Sequence, residues 1–174
     1  MRDRVRPLLT ALLWITLGGW IGAMTLFAAV VTPVIFRNVS SAEQAGHLVG
    51  PILSAIHLYG IAAGIAIAVL AHGMGRGLRV PLLALLLAGA SAYSHFGVSA
   101  AVAELRDQAF GAIPDALAQA RWAELHRRSV WIFGATGLGA IALALLNAFD
   151  EARSRGVAGG PSRRPVRSER SLSA

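Results

Sequence analysis

The sequence predicts an all-α fold: a four-helix transmembrane bundle with helical extensions on its outer side. Four stretches contain no Asp, Glu, Lys or Arg: Pro7–Phe36, Leu48–Gly75, Val80–Ala103 and Ser129–Phe149. Bilayer hydrocarbon is ~30 Å thick and a helix rises ~1.5 Å per residue, so about 20 apolar residues cross it. Hydrophobic residues make up 55% of the chain and charged residues only 14%, whereas soluble domains carry about 25% charged residues. The charge is also unevenly placed. Of the net +7, the first six residues, the connector holding Arg76 and Arg79, and the segment after Phe149 supply all the excess. The segments between them are neutral. Alternate connectors of a four-span protein share a side, and basic residues divide eleven against five between the two sides. By the positive-inside rule both termini are cytoplasmic and the protein is a multi-pass protein of the cell membrane.

Residues 1–150 form one membrane domain, with spans expected at about 8–36, 49–72, 80–103 and 129–149. The first span is longer than a signal-peptide core of about 7–15 residues, so it is expected to remain as an anchor. Pro33 removes a backbone donor near the outer end of that span and is expected to kink it. Gly18 and Gly22, like Gly60 and Gly64 in span two, have the four-residue spacing that brings helix backbones close in lipid. Pro51 and Pro81 lie in favourable first turns of spans two and three. The glycine-spaced run Gly73-Met74-Gly75-Arg76-Gly77 makes those spans a hairpin. Beyond Ala103 the third helix is expected to continue to Phe110, with Asp115 capping a helix that runs into span four. Residues 151–174 alternate Gly, Pro, Ser and Arg and read as a disordered, Arg-rich cytoplasmic tail.

Ionisable groups at membrane depth are candidate functional residues. His57 and His95 lie at matching depth on spans two and three, flanked by Ser91, Ser99 and Tyr93. A neutral imidazole pair in a dry bundle is what haem b or copper would use. The plainer reading is two histidines bonded to helix backbone or to each other. At the outer ends Arg37, Glu43, His47, Arg121, Glu124, His126 and Ser129 gather into a polar cap, in which Arg37 is expected to pair with Glu124 or Glu43. His126 is expected to bond Ser129 or a carbonyl. The chain has no Cys, which excludes disulfides and thiolate chemistry. It has no Walker-type glycine loop, no His-Glu-x-x-His and no Gly-x-Ser-x-Gly. Carboxylates are absent from all four spans, which counts against a proton-coupled transporter.

The segment from Phe27 through Pro33, Phe36 and Arg37, followed by Ala45-Gly46, resembles a known pattern, as does Trp122-Ala-Glu-Leu-His126-Arg-Arg-Ser129. Over roughly residues 10–148 the chain resembles the transmembrane protein 205-like family, catalogued in bacteria as a domain of unknown function. The resemblance implies a four-helix membrane protein without established activity. It marks Pro33, Phe36, Arg37, Gly46, Tyr59, His126 and Ser129 as motif positions. The functional expectation is a non-enzymatic accessory, stress-tolerance or interaction component that needs no cofactor. Its partners would be membrane lipids and a second copy or another membrane protein, with no nucleic acid. The alternatives are a haem- or copper-handling protein built on His57 and His95, or a small transporter.

Overall fold

The computed structural model describes residues 2–111 and 113–158, with side chains at 5–41, 43–111 and 113–153. Among the described residues every regular element is helical. α1 (Arg2–Leu26) passes through a π turn (Phe27–Val31) into α2 (Thr32–Asn38), making one long helix. α3 (Ala42–Gly73) returns antiparallel to it. α4 (Arg79–Ala92) passes through a second π segment (Tyr93–Ser99) into α5 (Ala100–Phe110), and α6 (Ala116–Ala158) completes the bundle. Four helical stretches are long and apolar enough to cross a membrane: Val5–Asn38, Glu43–Gly73, Arg79–Phe110 and Ala116–Arg153. The all-α, four-span expectation holds. α6 runs past the boundary expected at residue 150, and the remainder of the expected tail, 159–174, lies outside the described residues.

α1 packs on α3, α3 on α4, α4 on α6 and α6 on α1, which closes a ring. One end of the bundle carries the start of α1, the connector after Gly73 and the last turns of α6; we call it the terminal end. The other, distal end carries the turns at 39–41 and 111–115. A buried hydrophobic cluster fills the terminal and middle parts. Leu13, Leu17, Trp20, Ile67, Val80 and Leu143 are almost fully buried there in one cluster.

The α3–α4 contact is the most extensive, and its cause is legible in the glycines. A Cβ added at Gly64 would stand 2.7 Å from the Ala84 carbonyl oxygen and 2.8 Å from the Ala88 Cβ. At Gly60 it would meet Ser91 Oγ at 2.8 Å and Trp20 Nε1 at 2.9 Å. Both helices therefore approach to backbone contact, as the spacing predicts for span two. The same spacing misleads in span one. Gly18 and Gly22 face open space, and the glycine that meets a neighbour is Gly19, against the Tyr59 hydroxyl.

Pro33 does not end its helix. It sits in the first turn of α2, directly after the π turn, in which Thr32 N–H donates to the Phe27 carbonyl. Widening the preceding turn shifts the hydrogen-bond register before the residue that lacks a donor, so the helix continues.

The ends are capped as local chemistry requires. Ser41 accepts from Gln44 N at 3.2 Å, and Asp115 accepts from Leu117 N at 3.0 Å and Ala118 N at 3.3 Å. At the C-terminus of α3, Arg76 N–H bonds the Ala71 carbonyl at 3.0 Å and Gly75 N–H bonds that of His72 at 2.9 Å. This is a Schellman turn, and Gly75 supplies its left-handed residue at φ 69°. The turn delivers Arg76 to the terminal end. There its guanidinium donates to the Asn147 carbonyl at 3.1 Å and to the Asn147 side chain, and lies 3.8 Å from Glu151. Trp14 Nε1 donates to the same carboxylate at 3.1 Å. Three helical stretches are thereby tied at one point. Burial pushes the Arg76 guanidinium below its ordinary range and Glu151 and Asp150 pull it back; guanidinium remains charged throughout.

The outward surface is apolar in a manner foreign to water-exposed proteins. Ile15 is 69% exposed, Leu86 67%, Leu138 71% and Trp131 74%, as part of continuous apolar faces on every long helix.

Candidate functional site: the distal cavity

Above the packed core the four helices diverge around a cavity of about 980 Å³, at the upper end of the ~300–1,000 Å³ typical of ligand sites. All four spans wall it. The first π turn contributes Phe27 and α2 contributes Phe36; α3 contributes the stretch from Gly46 to Ser54; the second π segment and α5 contribute His95, Ser99 and Arg106; α6 contributes Trp122, His126, Ser129 and Phe133. Both π segments thus lie in the wall. π turns insert a residue into the helical register and recur at functional sites.

The lining is largely apolar, with a few polar groups in distinct arrangements. His95 Nδ1 is 3.0 Å from Ser54 Oγ. His57, deeper on α3 and 4% exposed, has neither ring nitrogen hydrogen-bonded; its ring stands edge-on to Phe133 at 6.4 Å. His57 and His95 lie within electrostatic reach of each other. Toward the distal rim, Arg106 contacts His47 Nδ1 at 3.2 Å and donates to the Gly46 carbonyl at 3.3 Å. Trp122 stacks on His126, one turn along α6, with centroids 5.0 Å apart and planes 4° from parallel. Phe110 meets the Trp122 ring edge-on at 5.0 Å, joining α5 to α6. Three lining residues carry buried polar atoms without a partner: Thr32 Oγ1, Ser99 Oγ and Trp122 Nε1. Each such group costs about 1–3 kcal/mol relative to a satisfied one.

The Ser54–His95 contact has the spacing of a nucleophile and its base. The imidazole meets the hydroxyl through Nδ1, and among the described residues no Asp or Glu lines the cavity. Among the described residues, no group of three or more His, Asp or Glu could hold a metal ion.

Of the predicted cap residues, Phe36, Gly46, His126 and Ser129 meet at the cavity wall. Pro33 lies behind it in α2. Tyr59 lies elsewhere, its hydroxyl donating to the Thr16 carbonyl at 3.3 Å across the α1–α3 contact. Arg37 is exposed, and among the described residues it forms no ion pair; Glu124 is taken by Arg128, one turn along α6. Among the described residues His126 bonds neither Ser129 nor a carbonyl, the two partners expected, and its ring stacks on Trp122. Of the Ser91–His95–Ser99 stripe, Ser91 packs toward Gly60 and His95 meets Ser54, both on α3, while His95 and Ser99 line the cavity together, although the segment that carries them is π-helical. Arg106 and Ser54 were missed. Ser99, Val102 and Arg106 share one helical face, which would have pointed to the first.

A family model described as Domain of unknown function (DUF4149) matches residues 15–111, from the middle of α1 through α5. The chain belongs to that family. The match covers three of the cavity's four walls and the positions Pro33, Phe36, Arg37, Gly46 and Tyr59; α6 with His126 and Ser129 lies beyond it. No curated protein and no solved structure matches the chain.

Proposed function

We propose that this chain is a multi-pass membrane protein, with the terminal end cytoplasmic, that holds a hydrophobic small molecule in the distal cavity without transforming it. The observation that carries this reading is the cavity: about 980 Å³, walled by all four helical stretches and mainly apolar. Apolar helix faces open to the surroundings support the membrane setting, since water would make them costly. The division of basic residues supports the orientation. Membrane lipids are the natural first partners.

The test is photolabelling of purified protein in lipid nanodiscs with a long-chain alcohol bearing a diazirine. Label should concentrate on cavity residues such as Phe27, Leu53 and Phe133, and fall when Ser99→Phe or Gly50→Leu fills the space. Uniform labelling of the outward faces around Ile15, Leu82 and Leu138, unchanged by either substitution, would contradict the proposal. A second reading, haem or copper held with His57, is favoured by its two unpartnered ring nitrogens. It predicts a visible absorption band or bound copper that His57→Ala removes.

A further inference from the structure

The rim of the cavity carries a fixed positive charge with no opposite charge beside it. Arg106 is half-buried on α5, one turn before that helix ends at Phe110. Its contacts are His47 Nδ1 and the Gly46 carbonyl. Neither is an anion, and together they occupy two of the five N–H groups that a guanidinium presents. Among the described residues no Asp or Glu lines the cavity, and no carboxylate, Glu43, Glu104, Asp107 and Asp115 included, stands within ion-pair distance of Arg106.

Arg106 thus brings three further N–H groups to the cavity wall that have no acceptor among the described residues. The space beneath is lined by Phe27, Leu53, Val130 and Phe133, which offer no hydrogen bonds from their side chains. A fitting occupant has an apolar tail and an acceptor-only, negatively charged head.

We propose that the distal cavity binds a single-chain amphiphile with a carboxylate head, the carboxylate engaging Arg106 and the chain lying along the aromatic wall. The proposal rests on the reading of the cavity as a binding site and adds the chemistry of its ligand. Arg with carboxylate forms paired, charge-assisted hydrogen bonds about twice as strong as neutral ones. A carboxylate also meets a guanidinium with both oxygens, which an alcohol of equal length cannot do.

The experiment uses the full chain in nanodiscs of zwitterionic lipid and two diazirine probes of equal chain length, a fatty acid and the corresponding alcohol. Wild type should capture the fatty acid roughly 10–100-fold better at limiting probe, the range that charge-assisted bonds supply. Arg106→Gln should bring fatty-acid capture down to the alcohol level, and cooperative thermal unfolding like that of wild type establishes that the variant is folded. Arg106→Lys should retain part of the preference. Equal capture of both probes by wild type, or an undiminished preference in Arg106→Gln, overturns the carboxylate assignment and leaves the cavity reading standing. Cavity labelling by neither probe overturns both.

Discussion

Gly64 gives the sharpest prediction about how the bundle is held together. Replacing it with alanine places a methyl group 2.7 Å from the Ala84 carbonyl oxygen and 2.8 Å from the Ala88 Cβ. Ordinary contact begins near 3.4 Å, so α3 and α4 must separate by several tenths of an ångström. Neither neighbour is the free end of a flexible side chain, so a rotamer change cannot relieve the clash. Overpacking of this kind costs about 1–3 kcal/mol. Alanine gains about 1 kcal/mol of helix propensity over glycine, leaving a net loss of up to about 2 kcal/mol. Gly18 is the control, because a Cβ there meets nothing within 4 Å. Gly18→Ala should keep the propensity gain, so the two variants should differ by about 1–3 kcal/mol. For chains of this size that is roughly 2–12 °C in melting temperature, measured by thermal unfolding in one detergent. Gly64→Leu should exceed Gly64→Ala in cost. A Gly64→Ala protein as stable as Gly18→Ala would refute the reasoning.

Three further outcomes follow from single sites. His57→Leu removes two buried, unsatisfied ring nitrogens and should raise thermal stability or leave it unchanged; a drop of more than about 2 kcal/mol would mean that a bound group satisfies the ring. Arg76→Met should lower stability by about 1–3 kcal/mol by leaving the Asn147 acceptors without their donor, and an unaltered melting temperature would remove the terminal-end tie from the account. Glu124→Gln should change stability by less than about 1 kcal/mol because its pair with Arg128 is half-exposed on both sides, and a larger loss would place that carboxylate in a role the fold does not show.

The bundle was legible in the sequence because long helices with apolar outward faces leave a simple record, namely long runs without charge. Caps were legible too: Asp115 and the glycine-spaced turn at Gly75 behave as local chemistry dictates. Side-chain partnerships across the bundle were not. Pro33 signalled a disturbance, yet whether a helix kinks or widens into a π turn depends on what packs beside it. The second π segment contains no proline at all, and nothing in the residue pattern around His95 marks it. Gly18 and Gly22 show the same limit. Spacing identifies a face able to pack closely, and only the arrangement of neighbours decides which face is used. Arg106 was overlooked because a lone arginine in an amphipathic extension resembles a solvated charge until Gly46 and His47 are brought against it from sixty residues away.

The absence of cysteine makes the most direct test of the whole arrangement simple. Single cysteines are placed at Ile113 in the distal loop and at Gly77 in the terminal-end connector, and an impermeant maleimide is applied to spheroplasts of expressing cells. The account predicts labelling of Ile113→Cys on intact spheroplasts and of Gly77→Cys only after permeabilisation. Labelling of both positions on intact spheroplasts, or the reverse pattern, would contradict it.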